Sequence, residues 1–285
     1  MPAAIVLFVG IVAILSVLVY KVSHPEAVLE GVNPSHYRLP SLEVIVPSTG
    51  GYDIEGWWIP GLKTDPGIIL APGYGMNRVD SLSLAAALHK EGFNLLVYNQ
   101  RGQGQLSKVA STLGLYEADD MSNALRYMQS RLENKDSVLG IWGVDVGARA
   151  ALTVSAEFPQ VHAIVADSAY DAIADFLDYR IVEDFGLDNS IVNFGCYQIF
   201  RLAHYRRAMS MNDKLPVQAL YDRTVLFIKG ENRPRLASLT TAIYGRIRPQ
   251  KEMVPFPVSA THMMSEEDSK NYNRKVVGFF TLNLR

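Results

Sequence analysis

The chain has 285 residues, of which 48% are hydrophobic and 20% are charged, and its formal net charge is −2. This length and composition exclude a disordered chain, a collagen and a coiled coil, and they allow a sizeable core. The charge gives no basic field for nucleic acid, so no nucleic-acid partner is predicted. A single cysteine, Cys196, excludes an internal disulfide framework.

Residues 1–21 predict a transmembrane anchor. No charged side chain precedes Lys21, and the stretch Ala3 to Tyr20 rises about 27 Å as a helix, close to the thickness of a bilayer's hydrocarbon core. A cleaved signal peptide is the rival interpretation, but the segment lacks a basic start and a small-residue cleavage site. A buried core helix would show a polar stripe, which is missing here. Because Lys21 follows the span, the globular part is predicted on the cytoplasmic side.

A linker with three prolines, over residues 22–40, precedes a globular domain over residues 41–285. The domain opens with a predicted hairpin, in which strand patterns at Leu42–Val46 and Ile54–Ile59 flank turn residues at Ser48–Gly51. An antiparallel pair at one edge of a sheet is therefore expected.

After the hairpin, short apolar runs alternate with helical patterns. The predicted strands are Gly67–Ala71, Asn94–Tyr98, Val138–Trp142, His162–Ala166, Val225–Lys229 and Met253–Val258. The predicted helices between them are Ser81–Lys90, Tyr116–Leu132 and Ala148–Phe158. This alternation predicts an α/β fold with a mainly parallel sheet of about eight strands, covered by helices on both faces. Residues 170–215 break the alternation with an aromatic-rich helical insertion, which is predicted to form a small lid.

Chemistry in such a sheet lies at the carboxyl ends of its strands. The most informative motif there is Gly143–Gly147, a Gly-x-Asp-x-Gly sequence between a predicted strand and a predicted helix. This spacing is typical of a sharp turn that presents its central side chain, Asp145, above the sheet. A dinucleotide-binding motif is excluded, because the Gly-x-Gly at Gly73 and Gly75 is followed by Arg78 where a third glycine is needed.

From Leu42 to the C-terminus the chain resembles the α/β-hydrolase superfamily, in particular membrane-anchored bacterial relatives of serine esterases and aminopeptidases. The matching motifs are Gly143–Gly147, Leu70–Gly75, Tyr98–Gly104, Thr112–Gly114 with Glu117 and Asp120, Asp167–Ser168, and Ala260–His262. The resemblance implies an α/β-hydrolase fold with a nucleophile elbow, and it implies that the backbone N–H groups of Tyr74 and Val146 form the oxyanion site.

The sequence departs from this family at two catalytic positions. Asp145 stands where the family has its nucleophilic serine, and Arg233 stands where the family has its acid, whereas His262 is retained. A serine mechanism needs a hydroxyl that histidine deprotonates and an acid that stabilises the imidazolium. Conventional serine hydrolysis is therefore excluded at these positions.

Two functions from different classes remain. In the first, the triad is degenerate and the protein binds a small-molecule ligand without catalysis, with Asp145 capping a helix and pairing with Arg149 one turn on, or with His262. In the second, Asp145 is itself the nucleophile, as in the haloalkane dehalogenases and epoxide hydrolases of this fold. His262 is then the base and Asp167 the candidate acid.

No cofactor and no metal are predicted. The remaining histidines show no spacing typical of metal ligands: His24, His36, His89, His162 and His204. The expected partners are the membrane, through the N-terminal helix, and a small molecule.

Overall fold

The computed structural model describes residues 2–27, 30–48, 51–61, 66–134, 136–205, 214–247, 250–259 and 264–285. Eight α-helices lie in this part of the chain: α1 (Pro2–Ser23), α2 (Leu82–Lys90), α3 (Tyr116–Arg131), α4 (Val146–Val154), α5 (Ile173–Phe185), α6 (Ser190–Ala203), α7 (Pro234–Arg246) and α8 (Glu266–Leu284). The described strands are β1 (Leu42–Pro47), β2 (Asp53–Ile59), β3 (Gly67–Ala71), β4 (Asn94–Tyr98), β5 (Leu139–Val144), β6 (Val161–Asp167), β7 (Thr224–Gly230) and β8 (Lys251–Phe256).

The strands form one eight-stranded sheet in the order β1-β2-β4-β3-β5-β6-β7-β8. β1 pairs with β2 and β2 with β4 in antiparallel orientation, and the other neighbours are parallel. The predicted mainly parallel sheet with an opening antiparallel pair is confirmed. The order reverses on either side of β3, so the carboxyl ends of β3 and β5 lie side by side, where ligands bind in sheets of this kind.

Both faces of the sheet are covered, as the fully apolar strands predict. Every residue of β3, β4 and β5 is buried. One face packs against α3 and α4, with Met121 and Leu152 in that layer, and the other packs against α2 and α8, with Leu88 and Phe280 in that layer. Removal of this apolar surface from water is the main stabilising contribution to such a core.

Two acidic residues of the motifs that match the family, Glu117 and Asp120, hold loops in place rather than forming a site. The Glu117 carboxylate is fully buried and accepts hydrogen bonds from Ser111, Thr112 and Gly114. Asp120 pairs with Arg101 at 2.6 Å, and both side chains are buried. Because a buried carboxylate is costly without such partners, these contacts fix the loops around β4 and α3.

Helix α1 is longer than the predicted span, because it continues through Ser23 into the predicted linker. Residues Ala3–Ser23 are long and apolar enough to cross a membrane, with a mean hydropathy of 2.9. Its last turns are nevertheless buried against the protein: Leu18, Val19 and Val22 join an apolar cluster with residues of α5 and α6. The end of the helix is therefore part of the packed structure.

The region between β6 and β7 contains α5 and α6, in agreement with the predicted helical insertion at residues 170–215. Tyr170 and Phe176 stack with ring centroids 4.2 Å apart, and the Tyr170 hydroxyl donates to the Leu113 carbonyl at 3.0 Å. These aromatic side chains attach the insertion to the domain. Its role as a lid stays a prediction.

Candidate active site

The turn after β5 places Asp145 at a sharp elbow. Asp145 has φ 36° and ψ −97°, a backbone conformation that is rare for a residue with a side chain. The flanking glycines are required by close approach, since a Cβ on Gly147 would lie 2.3 Å from the Ala71 carbonyl oxygen and one on Gly143 would lie 2.5 Å from Gly147. Helix α4 begins directly after Asp145, two residues earlier than predicted, because the Asp145 side chain caps it.

The Asp145 carboxylate lies at the two backbone N–H groups that the family resemblance assigns to the oxyanion site. Tyr74 N–H donates to Asp145 Oδ1 at 2.7 Å, and Val146 N–H donates to the same oxygen. The carboxylate also lies against Gly73, where a Cβ would be 2.8 Å from Oδ2. The side chain of Asp145 is 3% exposed, so it is held in place on several sides.

Arg233 faces the second oxygen of the same carboxylate. Its Nη1 atom lies 3.9 Å from Asp145 Oδ2, and its side chain is 21% exposed. Burial raises the pKa of Asp145 above its ordinary value, while the Arg233 charge and the two N–H donors oppose this shift. Arg233 and Asp145, which the resemblance places at the family's acid and serine positions, are thus neighbours.

The expected pairing of Asp145 with Arg149 is replaced by this contact. Arg149 Nε donates to the Asp171 carbonyl at 3.2 Å, and its Nη1 donates to the Gly114 carbonyl at 3.5 Å. Helical spacing predicted the pair, but the Asp145 carboxylate is held at the N–H groups of Tyr74 and Val146, at the start of α4 rather than along its side. The described ion-pair partner of Asp145 is therefore Arg233.

Asp167, the candidate acid, is fully buried at the end of β6. Its carboxylate accepts hydrogen bonds from the Ser168 hydroxyl and from the Tyr272 hydroxyl, each at 2.8 Å. Tyr272 in turn accepts a hydrogen bond from Trp142 Nε1 at 2.8 Å. Burial raises the pKa of Asp167 to about 6, and the two hydroxyl donors oppose that shift.

His262 lies outside the described residues, so its pairing with Asp145 or Asp167 stays a prediction. Within the described ranges, no group of three or more His, Cys, Asp and Glu side chains is arranged to hold a metal ion.

A cleft of about 520 Å³ opens beside the elbow. Its lining includes Lys21, His24, Tyr74, Arg180, Asp184 and Arg233. The Tyr74 hydroxyl donates to the Val22 carbonyl at 2.8 Å, which connects the end of α1 to the loop after β3. Arg180 lies over the Tyr74 ring, 4.4 Å from its centroid. Sequence reasoning missed Lys21, His24 and Arg180, because the packing that brings the end of α1 and helix α5 to this cleft has no local signal.

Comparison with known proteins agrees with this geometry. Residues 66–190 match the sequence model of a family described as alpha/beta hydrolase fold. The Bacillus subtilis (strain 168) protein YqkD is 25% identical over 257 residues, which cover 88% of this chain and 82% of that protein.

Solved structures show the same architecture. An esterase of Pyrococcus furiosus superposes with a TM-score of 0.69 at 16% identity, covering 93% of this chain and 99% of the esterase. A dienelactone hydrolase from Anabaena variabilis superposes with a TM-score of 0.59 at 16% identity, covering 87% and 99%. The predicted resemblance is confirmed for the fold.

Proposed function

From the α/β-hydrolase fold of this chain, we propose that it is a membrane-anchored, non-catalytic member of that fold that binds a small molecule carrying an anionic group. The observation that supports this proposal best is the position of the Asp145 carboxylate, with one oxygen on the N–H groups of Tyr74 and Val146 and the other facing the Arg233 cation. In a serine hydrolase those donors stabilise the oxyanion of the substrate. Here a side chain of the protein itself already takes them.

The neighbouring groups also argue against serine chemistry. Asp145 has no hydroxyl to deprotonate, and the Arg233 cation disfavours an imidazolium beside it. Ser168 is the hydroxyl that follows Asp167, but it is 1% exposed and donates to that carboxylate. It therefore lies in the core rather than in the cleft.

The cleft favours an anionic ligand because Arg233 reaches it. Its 3.9 Å separation from Asp145 Oδ2 exceeds a hydrogen-bond length, so its guanidinium retains donors for a second acceptor. A planar guanidinium matches the geometry of a carboxylate or a phosphate. The lining also contains Lys21 and Arg180 together with Glu26 and Asp184, so its cationic residues outnumber its carboxylates by one. We therefore assign the anionic group of the ligand to the side of the cleft formed by Arg233.

Anchoring by α1 is the second part of the proposal. Ala3–Ser23 has the length and hydropathy of a span, and its exposed side chains are large and apolar: Ile5, Val6, Leu7, Phe8, Val9, Ile11 and Ile14. A surface of this kind is costly in water. Full-length protein is expected in the membrane pellet after carbonate washing, and its recovery in the soluble fraction would contradict the anchor.

Ligand binding is tested with butyrate as the anionic probe and butyramide as its uncharged counterpart, titrated by calorimetry into the full-length protein in nanodiscs. Arg233→Gln is expected to weaken butyrate binding about tenfold or more, because a hydrogen bond to a charged group contributes about 1.5–3 kcal/mol. Arg235→Gln is the matched control, since Arg235 lies two residues along the chain, in the first turn of α7, but pairs with Asp178 and Asp188. Equal binding of both probes, or equal loss in both variants, would contradict an anionic ligand at Arg233.

A hydrolase that uses Asp145 as nucleophile is the second candidate, and one observation favours it. With Oδ1 on the two N–H groups, attack by Oδ2 on the carbon of a halide or an epoxide, with release of the halide or opening of the epoxide C–O bond, would give an ester whose carbonyl oxygen is already at those N–H groups. Replacement of His262 would then trap this ester as a stable mass increase on Asp145. We expect no adduct, because Oδ2 is buried and faces Arg233 rather than an open approach.

A further inference from the structure

Helix α6 exposes a stripe of large apolar side chains. Ile191 is 79% exposed, Phe194 is 66% exposed and Leu202 is 74% exposed. Their spacing places them along one side of the helix, where Gln198 is the exposed polar side chain among them. Cys196 and Phe200 on the opposite side are buried against the domain. A helix with apolar side chains on both sides does not match a water-exposed surface. The outer side of α6 is therefore suited to an apolar surrounding.

The same helix packs directly on the proposed anchor. A Cβ on Gly195 would lie 2.7 Å from Leu15 Cδ1, so the absence of a side chain at Gly195 allows the close approach of α1 and α6. Leu18, Val19 and Val22 continue this contact toward the end of α1. The contact of Leu15 with Gly195 fixes the height of α6, that is, its position along the axis of α1.

This height places α6 within the depth of a bilayer. With a rise of about 1.5 Å per residue, Leu15 lies about 20 Å along α1 from Pro2. The hydrocarbon core is about 30 Å thick. With Pro2 at its far boundary, the contact at Leu15 lies about 10 Å inside the boundary on the side of the domain. Amphipathic helices that lie in the membrane interface bury their apolar side about 5–10 Å into the boundary between headgroups and acyl chains.

We propose that α6 is an interfacial membrane helix, with Ile191, Phe194 and Leu202 inserted into the leaflet on the side of the domain. This inference rests on the proposed anchoring by α1 and adds a second membrane contact. The segment Ser190–Ala203 contains one charged residue, Arg201, which is exposed near its C-terminal end. A long cationic side chain at that position can extend to the headgroups while the helix remains in the interface. The lipid surface, rather than a protein, is the occupant because α6 is continuous with the apolar surface of α1.

The placement is tested by fluorescence quenching of the full-length protein in phosphatidylcholine vesicles that contain brominated lipid. A Phe194→Trp variant reports on α6, and a Phe8→Trp variant reports on the anchor. Leu282→Trp is the control for an exposed apolar site on α8, since Leu282 is 83% exposed. The native residues Trp57, Trp58 and Trp142 are 2%, 4% and 0% exposed, so they contribute little quenching.

We expect bromine near the headgroup end of the acyl chains to quench the Phe194→Trp emission more strongly than bromine deep in the chains. The Leu282→Trp emission is expected to stay unquenched. If Phe8→Trp is quenched and Phe194→Trp is not, α6 faces water or a second copy of the chain and the placement is wrong. If Phe8→Trp is also unquenched, the anchor itself is contradicted.

A second quencher tests the same placement from the aqueous side. Iodide in the aqueous phase is expected to quench Phe194→Trp weakly in the vesicle-bound protein. Adding Ile191→Asp and Leu202→Asp to that variant is expected to lift the helix from the interface and to increase quenching by iodide. Strong quenching by iodide before the charges are added would contradict insertion.

Discussion

The N–H group of Tyr74 donates a hydrogen bond to Asp145 Oδ1 at 2.7 Å. This contact links the loop after β3 to the elbow after β5, and the N–H of Val146 joins it on the same oxygen. The two N–H groups that the family resemblance assigns to the oxyanion site therefore bind a carboxylate oxygen of the protein itself. Arg233, on the other side of the carboxylate, offsets that charge.

The two N–H contacts predict a stability difference between two uncharged variants. Asp145→Asn retains a carbonyl oxygen that can accept from Tyr74 and Val146, whereas Asp145→Ala leaves both donors without that acceptor. We expect Asp145→Ala to be less stable than Asp145→Asn by about 1–3 kcal/mol in urea unfolding. Asp222→Ala, at an exposed aspartate, is the surface control and is expected to be near neutral. Equal stability of the two Asp145 variants would contradict the role assigned to the hydrogen bonds.

Restoring the family residues is expected to restore chemistry only in combination. Asp145→Ser frees the two N–H groups and supplies a hydroxyl, but Arg233 still disfavours the imidazolium that a serine mechanism requires. Asp145→Ser with Arg233→Asp removes that repulsion. We expect measurable hydrolysis of p-nitrophenyl acetate from the double variant and little from the single one. Equal rates from both variants would show that Arg233 is not the obstacle.

The buried Asp167 predicts a pH dependence of stability with a definite sign. Its pKa in the folded protein is about 6, against 3.8 as the ordinary value, so the folded state binds more protons than the unfolded state between these values. The free energy of unfolding therefore falls as pH rises from about 4 to about 6, by about 3 kcal/mol for this group.

Asp167→Asn is expected to remove this contribution, so the variant gains stability relative to the parent as pH rises through that window. Urea unfolding at several pH values measures the difference. An unchanged slope in the variant would show that another group titrates there. The emission of Trp142, which donates to Tyr272 beside this carboxylate, is a local probe of the same titration.

The end of α1 is expected to matter for folding as well as for anchoring. Deletion of residues 2–13 leaves Leu18, Val19 and Val22 in the apolar cluster with α5 and α6, whereas deletion of residues 2–21 removes the first two. Each fully buried side chain of this size contributes about 1.5–3 kcal/mol. We therefore expect the longer deletion to lower the unfolding temperature in detergent well below that of the shorter one. Identical unfolding temperatures would support residue 21 as a clean domain boundary.

Much of the fold could be predicted from the sequence, because its strands are buried on both sides. Gly67–Ala71 and Asn94–Tyr98 form strands with the predicted bounds, since continuous apolar runs between turn residues leave few alternatives. The turn at Asp145 could be located from the sequence because Gly143 and Gly147 flank this residue. The position of α1 was not predictable in the same way, because a helix that is apolar all round does not indicate which side packs on the domain.

The candidate site was predictable in its residues but not in its contacts. The resemblance placed Asp145, Tyr74, Val146 and Arg233 in one site, and the structure brings these four together. Helical spacing suggested Arg149 as the partner of Asp145. The elbow holds the carboxylate at the start of α4 and beside Tyr74. This position depends on the close approach of Gly73 to Asp145 and of Gly147 to Ala71, which are contacts between segments distant in the sequence.

The central claim is that Asp145 does not act as a catalytic nucleophile, and isotope incorporation into its carboxylate tests this claim most directly. Full-length protein is incubated in heavy-oxygen water with p-nitrophenyl acetate, bromobutane or styrene oxide, and the mass of the peptide that contains Asp145 is measured. With bromobutane or styrene oxide, an aspartate nucleophile would form an alkyl ester through one carboxylate oxygen, with release of bromide or opening of the epoxide C–O bond, and water attack on the carboxyl carbon would leave one water oxygen in the side chain. With p-nitrophenyl acetate the same nucleophile would form a mixed anhydride and release p-nitrophenol, so release of p-nitrophenol is measured as well. We predict an unlabelled Asp145 with all three compounds and no release of p-nitrophenol above that of Asp145→Asn. Label in Asp145, accompanied by substrate turnover that Asp145→Asn abolishes, would contradict the non-catalytic assignment.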